Sequence, residues 1–163
     1  MIGSGGAGKS TIARAIAERL RLPLVHLDTL YWKPGWQATE AGEWRRTVSD
    51  LIAAPAWVID GNYSGTLDLR LEACDTVVFL DFPRHVCLWR VIKRQLAYRG
   101  RQRPDMAPGC PERLTWQFLE WVWTYRSRRR AGILSRLSSL RADQRAVVLT
   151  SDRLAREFVE GLG

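Results

Sequence analysis

A glycine-rich segment near the start of the sequence has the spacing of a phosphate-binding loop. Gly3–Ser10 reads GSGGAGKS and matches the pattern GxxxxGK[ST], and an alanine-rich, helix-like run follows it. Glycines let the backbone curl so that amide N–H groups point at phosphate oxygens, and the start of the next helix adds its positive dipole end. We expect Lys9 to reach the β- and γ-phosphates of ATP and Ser10 to bind Mg²⁺. The predicted nucleotide-binding residues are Gly3, Ser4, Gly5, Gly6, Ala7, Gly8, Lys9, Ser10 and Thr11.

Asp60 is the predicted second ligand of the metal. It ends the apolar run Trp57–Asp60, and a carboxylate at the carboxyl end of a strand beside a phosphate loop can hold Mg²⁺ through water. The sequence Asp-Gly-Asn is also an ordinary turn, so a purely structural role stays open. Asp81 competes for the metal role, but Pro83 follows it closely and favours a turn.

Asp28 is the predicted acid–base group. It ends the run Leu24–Leu27, and the aromatic segment Tyr31–Trp36 follows. An aspartate there would face the crevice where a phosphoryl acceptor binds, and could take the proton of the acceptor hydroxyl or orient that hydroxyl. The aromatic residues could wall the acceptor pocket or be plain core. His26, two residues earlier, is interpreted as structural.

Basic residues gather around a segment rich in arginine, glycine and proline, Tyr98–Pro111, which is predicted to be a mobile excursion. They form two groups: Arg90, Lys93, Arg94, Arg99, Arg101 and Arg103, then Arg126, Arg128, Arg129 and Arg130. Phosphoryl transfer spreads negative charge over the γ-phosphate oxygens, and arginines of a closing lid can stabilise it. Arg94, Arg126 and Arg128 are the predicted catalytic arginines, and a solvated charged face remains the alternative.

Strand-like and helix-like runs alternate along the chain, which predicts an α/β fold with a parallel sheet covered by helices. The apolar runs are Leu24–Leu27, Trp57–Asp60, Thr76–Asp81 and Ala146–Thr150, and helical periodicity fits Lys9–Arg21, Glu40–Ala53, Arg84–Tyr98, Pro111–Arg126 and Asp152–Leu162. One domain is expected over residues 1–163, with a lid at about 98–111. A phosphate loop normally follows a buried strand, so the first strand is expected to be truncated, since only Met1 and Ile2 precede Gly3.

Composition narrows the partners without choosing between them. The chain of 163 residues has 25 Lys and Arg against 17 Asp and Glu, a formal charge of +8, which suits a triphosphate or a nucleic acid. Its three cysteines follow no metal-binding spacing and suggest buried thiols and a reducing cytoplasm. No apolar run of about 18 residues predicts a membrane span. The oligomeric state cannot be read from the sequence.

Five longer stretches give the chain a family resemblance. They are GSGGAGKST at Gly3–Thr11, HLDTLYWKPGW at His26–Trp36, WVIDGNY at Trp57–Tyr63, DTVVFLDFPR at Asp75–Arg84 and YRGRQRPDMAPGCPER at Tyr98–Arg113. With them the chain resembles the adenylate-kinase-like P-loop kinases, and among these most closely the bacterial family labelled DNA topology modulation proteins.

The resemblance implies a three-layer P-loop fold with a five-stranded parallel sheet of order 2-3-1-4-5 and an arginine-rich lid after the fourth strand. It implies that Asp60 holds magnesium through water and that Arg94 is the lid-base arginine that contacts ATP phosphates. Thr150–Asp152 falls where these kinases contact adenine. The Phe-Pro-Arg that follows Asp-Gly in adenylate kinases is replaced by Asn62–Ser64, which argues against AMP as the acceptor.

Two functions are consistent with these features. The first is a kinase that transfers the γ-phosphate of Mg-ATP to a small acceptor such as a nucleoside or nucleotide. The second is a regulator associated with DNA topology that binds ATP or hydrolyses it slowly. Any nucleic-acid binding is expected to be non-specific, because the arginines gather at the predicted lid and no helix-turn-helix or zinc-finger pattern appears.

Overall fold

Strands and helices alternate along the chain, as the periodicity predicts. The computed structural model describes residues 1–99 and 103–162. Its strands are β1 (Ile2–Gly3), β2 (Leu24–His26), β3 (Trp32–Lys33), β4 (Gln37–Ala38), β5 (Val58–Asp60), β6 (Thr76–Leu80) and β7 (Arg145–Leu149). Its helices are α1 (Lys9–Leu20), α2 (Leu27–Tyr31), α3 (Ala41–Ile52), α4 (Leu67–Ala73), α5 (Arg84–Ala97), α6 (Trp116–Ser138) and α7 (Asp152–Glu160), and a 3₁₀ turn spans Ser64–Thr66. Across this described part, no helix is long and apolar enough to cross a membrane.

The core strands form two parallel sheets rather than one continuous sheet of five. One sheet has the order β1-β6-β7, and the other pairs β2 with β5, while β3 and β4 form a small antiparallel hairpin. These sheets contain the predicted neighbours 1-4-5 and 2-3, but neither contains the predicted pairing of the third strand with the first. Two backbone hydrogen bonds reach across this gap: the amide of Gly61 donates to the carbonyl oxygen of Met1 at 3.2 Å, and the Met1 amino group donates to Ile59 at 2.5 Å.

Strand β6, in the middle of the three-stranded sheet, is buried on both faces from Val77 to Leu80. Val78 and Leu80 of β6 pack in one cluster with residues of α1, α5 and α7, and the alternate residues Val77 and Phe79 pack in another with α4 and α6. Successive side chains of a strand point to opposite faces, so these two clusters are the two sides of the sheet. The fold is therefore α/β, with helices covering a parallel sheet.

Helix α6 differs from its predicted bounds of Pro111–Arg126. It begins at Trp116, where the Thr115 hydroxyl caps it by accepting from the amide of Phe118 at 3.2 Å. It then continues twelve residues beyond Arg126 to Ser138, because Ile133 and Leu137 extend its buried face. The arginine run therefore lies in the middle of a long helix. The short helices α2 and α4 have no counterpart among the predicted elements.

Candidate active site

The glycine-rich loop connects β1 to α1 and packs tightly against α5. Gly6 and Gly8 have φ angles of 77° and 92°, in the left-handed region that favours glycine. A Cβ atom on Gly6 would lie 2.2 Å from the carbonyl oxygen of Cys87, closer than any side chain can approach. The Lys9 ammonium crosses the loop and donates to the carbonyl oxygen of Ser4 at 3.0 Å. The loop therefore requires glycine at position 6, and Lys9 lies across it.

Asp60 ends β5 directly opposite His26, the last residue of β2. The Nδ1 atom of His26 lies 3.0 Å from Oδ2 of Asp60, whose side chain is buried. Burial opposes ionisation of Asp60, but the hydrogen bond to His26 and the charge of Lys9 outweigh it and hold the pKa of this carboxyl below its usual value. The other oxygen, Oδ1, is buried without a hydrogen-bond partner among the described residues.

These residues fit a magnesium ion held partly by phosphate. Mg²⁺ is bound by oxygen atoms and keeps several waters, so it needs one or two protein ligands beside a nucleotide. The unpartnered Oδ1 of Asp60 and the hydroxyl-bearing Ser10 line the same cavity. Within residues 1–99 and 103–162, no group of three or more His, Cys, Asp or Glu side chains could hold a metal ion. A magnesium ion here would therefore need phosphate oxygens and water among its ligands.

Asp28 and Tyr63 form the second polar pair of the site. The Tyr63 hydroxyl donates to Oδ1 of Asp28. Burial raises the pKa of Asp28 above its ordinary value, although the Tyr63 hydrogen bond and the charge of Lys9 act in the opposite direction. Tyr63 has a φ angle of 32°, which is rare for a residue with a side chain. Its ring packs on Tyr31 and Trp44, with centroid separations of 4.5 Å and 5.0 Å.

The segment after Asp60 is fixed by two side chains. The Asn62 amide accepts from the backbone N–H of Gly3 at 3.0 Å and donates to the Gly3 carbonyl at 2.8 Å, so it pairs with the phosphate-loop strand as another strand would. The buried Arg70 donates to the carbonyl oxygens of Gly61 at 2.8 Å and Tyr63 at 3.2 Å. Burial lowers the pKa of Arg70 to about 10. Together these bonds set where Asp60 and Tyr63 lie.

Arg94 and Arg103 share a carboxylate beside the loop. Arg94 donates from Nε to Glu112 at 2.9 Å, and Arg103 donates from Nη1 to the other oxygen of Glu112 at 2.9 Å. Arg103 also forms a two-bond pair with Asp105, at 3.0 Å and 2.6 Å. Burial lowers the pKa of Arg94, whereas Asp105 and Glu112 outweigh burial at Arg103 and raise its pKa. The charges of Arg94 and Arg103 are thus paired with those of Asp105 and Glu112. Arg101, another basic residue of this group, lies outside the described residues.

Arg126 and Arg128 lie elsewhere. Arg126 donates from Nε to the buried carboxylate of Asp81 at 3.0 Å, and Arg130 binds the other oxygen of Asp81 at 2.7 Å. Arg128 is exposed, and its nearest carboxylate is that of Glu120, at 3.7 Å. Neither Arg126 nor Arg128 lines the cavity that contains Lys9. The partners of Asp81 are therefore arginines of α6, rather than a group of the phosphate loop.

Most of the remaining predicted residues line one cavity of about 690 Å³, although Gly3, Ser4 and Ala7 of the phosphate loop do not. Six residues of the phosphate loop line it together with Asp28, Asp60 and Arg94, and Trp32 and Trp36 of the aromatic segment line it as well. The wall beyond the aromatic hairpin comes from the predicted lid, where Gly35 donates to the Gly109 carbonyl at 3.0 Å. The structure thus brings the phosphate loop, both aspartates and Arg94 together.

Comparisons with known proteins place the chain in a family. No family model matches it. The uncharacterized protein YqaC of Bacillus subtilis (strain 168) is 32% identical over 129 residues, which is 77% of this chain and 70% of YqaC. This chain belongs to the YqaC family.

The fold of this YqaC family member also matches a solved kinase. A gluconokinase from Sinorhizobium meliloti 1021 superposes with a TM-score of 0.51 and 20% sequence identity, over 99% of this chain and 88% of the gluconokinase. At this identity the likeness shows the fold alone, an α/β fold similar to that of the gluconokinase.

Four residues of the site in this YqaC family member were not singled out as functional from the sequence. They are His26, Asn62, Tyr63 and Arg70. His26 and Asn62 each bond to a residue at least 34 positions away, so no local pattern reveals them. The motif WVIDGNY contains Asn62 and Tyr63. Its apolar strand and the Asp-Gly that follows predict a functional role for Asp60 alone.

Proposed function

We propose that this chain is a kinase that transfers the γ-phosphoryl group of Mg-ATP to a hydroxyl of a small acceptor. The acceptor oxygen attacks the γ-phosphorus, the bond from that phosphorus to the β–γ bridging oxygen breaks, and ADP leaves. The hydroxyl proton passes to the carboxylate of Asp28. Lys9 contacts the β- and γ-phosphates and stabilises the charge that develops on them.

The observation that carries the proposal is that Lys9, Ser10, Asp60 and Asp28 line one cavity, and the opposite pKa shifts of the two aspartates support it. The pKa of Asp60 is lowered, which suits a permanently ionised ligand, whereas the pKa of Asp28 is raised, which suits a group that takes up a proton. Pairs of carboxylates whose environments separate their pKa values mark acid–base assignments in enzymes. Lys9 lines the same cavity as both.

Ser10 and Asp60 are the proposed magnesium ligands, directly or through water. The bound ion would neutralise phosphate charge and align the triphosphate for in-line attack. The orphaned Oδ1 of Asp60 supports this assignment. His26, bonded to the other oxygen, fixes the carboxylate's orientation.

Arg94, near the end of α5, is the proposed arginine at the base of a lid at about 98–111. Its position in the wall of the cavity supports this role, but it has to exchange Glu112 for a phosphate oxygen to perform it. For Arg126 a role at the γ-phosphate requires release from the buried Asp81. That release would leave a buried carboxylate with one arginine fewer, so we assign Arg126 to holding α6 against β6.

The finer family and topology assignments are also proposals. The hydrogen bonds between Met1 and the ends of β5 have the alternation of a parallel ladder, which supports a continuous sheet of order 2-3-1-4-5. Membership in the DNA topology modulation family rests on the motif resemblance. A role at DNA is the second candidate function, and the formal charge of +8 favours it.

The kinase proposal is tested by titrating Mg-ATP and then screening acceptors. Lys9→Ala is expected to remove most of the affinity for Mg-ATP in a folded protein, measured by calorimetry, because Lys9 supplies the point charge of the phosphate cradle. A thermal-shift screen of nucleosides, nucleotides and sugar acids, with a non-hydrolysable ATP analogue bound, then finds the acceptor. Gluconate belongs in this screen because the structural neighbour is a gluconokinase. Unchanged affinity in Lys9→Ala would overturn the proposed nucleotide site.

A DNA-binding measurement on the same protein distinguishes the DNA-associated regulator from the kinase. Binding that comes only from basic charge is weak, independent of sequence and lost steeply as salt rises. Tight binding to one duplex sequence at physiological salt would favour the regulator over the kinase.

A further inference from the structure

A second cavity lies beside the Asn62–Ser64 segment, and its charges take no part in the reaction proposed above. It has a volume of about 350 Å³ and is bounded by this segment, by α4 and by the middle of α6. The side chains of Arg128, Arg129 and Arg136 line it, and no described aspartate or glutamate does. We propose that this cavity binds the anionic group of the acceptor, a phosphate or a carboxylate. The inference rests on the proposed kinase activity.

The arginines of this cavity are free to take a ligand. Arg128 lies 3.7 Å from Glu120, and Arg136 lies 3.2 Å from Asp68, in pairs whose carboxylates are more than half exposed. Exposed pairs of this kind contribute little. Arg129 makes no ion pair with any acidic residue of the described ranges 1–99 and 103–162. The fork of a guanidinium group matches phosphate and carboxylate oxygens, so three of them around one cavity favour such an anion.

Gly132 is a second, independent indication that the cavity binds a ligand. It lies in the middle of α6, lines the cavity, and falls on the same helix face as Arg129 and Arg136, three and four residues away. Glycine destabilises a helix interior relative to alanine. A Cβ atom at Gly132 would have no neighbour within 4 Å, so packing within the protein does not require glycine here. The missing side chain leaves space in the cavity wall, which suits a ligand.

The two cavities adjoin the same three side chains, which relates the proposed anion site to Asp28. Asn62, Tyr63 and Trp121 line both. The Tyr63 hydroxyl in turn donates to Asp28, the proposed base. In the binding mode we propose, the anionic group of the acceptor lies against Arg129, and the rest of the molecule extends along Tyr63 and presents a hydroxyl to Asp28. Apolar side chains of Ile2 and Ile133 line the rest of the second cavity, which suits a carbon skeleton. The acceptor class is accordingly a small hydroxylated organic anion.

The test measures anion binding while the phosphate loop is occupied. The protein is saturated with the magnesium complex of a non-hydrolysable ATP analogue, and glycerol 3-phosphate, glycerate, inorganic phosphate and glycerol are titrated by calorimetry. We expect the anions to bind and glycerol not to bind, and the better of glycerol 3-phosphate and glycerate identifies the preferred group. Arg129→Gln should weaken this affinity at least tenfold, whereas Arg45→Gln, on the exposed face of α3, should leave it unchanged.

A cavity-filling variant separates binding from folding. Gly132→Leu should abolish anion binding, yet its unfolding temperature should equal or exceed that of the unchanged protein, because leucine is the better helix former. Anion affinity unchanged in both Arg129→Gln and Gly132→Leu would overturn the inference. Displacement of inorganic phosphate by single-stranded DNA at far lower concentrations would also overturn it and assign the arginines to nucleic acid.

Failure of the kinase proposal can be distinguished from failure of the anion site. If the ATP analogue does not bind, the anions are titrated into Lys9→Ala, whose phosphate loop cannot compete for them. Binding that is lost in Arg129→Gln on this background would keep the anion site while rejecting the nucleotide site. Anion binding absent from Lys9→Ala but present in the unchanged protein would show that only the loop binds anions.

Discussion

Replacing Asp28 by asparagine tests the chemistry with little disturbance of the fold. The asparagine Oδ1 can accept the Tyr63 hydrogen bond that Asp28 accepts now, and the two side chains have the same shape. What changes is the ability to take up a proton. Loss of a general base slows a reaction by about 10²- to 10⁴-fold, so the barrier to transfer should rise by about 3–5 kcal/mol. The affinity for Mg-ATP should stay within about twofold, since Asp28 is not among the proposed phosphate ligands.

Because the pKa of Asp28 is raised in the folded protein, Asp28→Asn should also change stability: it should slow transfer but stabilise the fold. A carboxyl with a higher pKa in the folded state binds more protons when folded, so its contribution to stability is present at low pH and is lost as pH rises through the folded pKa. At pH 7 the raised pKa of Asp28 therefore makes this carboxyl destabilise the fold, and asparagine removes that cost. Asp28→Asn should unfold at an equal or higher temperature than the unchanged protein at pH 7, and the difference should shrink toward pH 4.

The assay measures ADP formation at saturating acceptor, alongside calorimetric affinity for Mg-ATP and the unfolding temperature. Tyr63→Phe is the matched control, because it keeps the carboxylate and removes its donor. The Tyr63 hydrogen bond lowers the pKa of Asp28, so in Tyr63→Phe the acidic limb of the pH–rate profile should move to higher pH. Transfer by Asp28→Asn at the original rate would refute the reasoning and leave Asp28 a structural residue of α2, the short helix that follows β2.

Three further substitutions test the framework of the site. Asp60→Asn should raise the Mg²⁺ concentration needed for half-maximal nucleotide binding, measured by calorimetry at several Mg²⁺ concentrations, and an unchanged requirement would remove Asp60 from the metal site. Asn62→Ala should lower the free energy of unfolding by about 2–4 kcal/mol, because both backbone groups of Gly3 lose a partner, and chemical denaturation measures this. Gly6→Ala should abolish ATP binding or folding, since its Cβ would lie 2.2 Å from the Cys87 carbonyl, while Gly65→Ala, whose Cβ meets nothing within 4 Å, should change neither.

The parts of the site that depend on strand ends follow from the sequence. Asp28 and Asp60 close consecutive apolar runs, and the carboxyl ends of parallel strands meet at one edge of a sheet, so their presence in one cavity with Lys9 is predictable. The α/β class follows in the same way from the alternation of runs. These predictions need only local periodicity and the rules of parallel sheets.

The parts that depend on register and long-range partners do not follow. His26 faces Asp60 because β2 and β5 pair with that offset, and a shift of one residue would separate them. The arginine run after Tyr125 resembles a solvated helix end, but Ile133 and Leu137 reach the core and carry α6 onward. Likewise Arg126 has a buried partner, Asp81, that is 45 residues away. Such pairs exist only once the chain has folded.

The segment from Asp60 to Ser64 connects every part of the proposed reaction. Asp60 is the proposed metal ligand, Asn62 bonds to the phosphate-loop strand, Tyr63 bonds to Asp28, and Ser64 lines the arginine cavity. Arg70 fixes this segment from behind, at the cost of burying a charge whose acceptors are neutral carbonyls. Left-handed backbone at Tyr63 adds strain that the packing of its ring on Tyr31 and Trp44 offsets. In the proposed reaction, this segment keeps the nucleotide and the acceptor at a fixed separation. Phosphoryl transfer requires such fixed geometry, because the protein contributes positioning and charge rather than covalent chemistry.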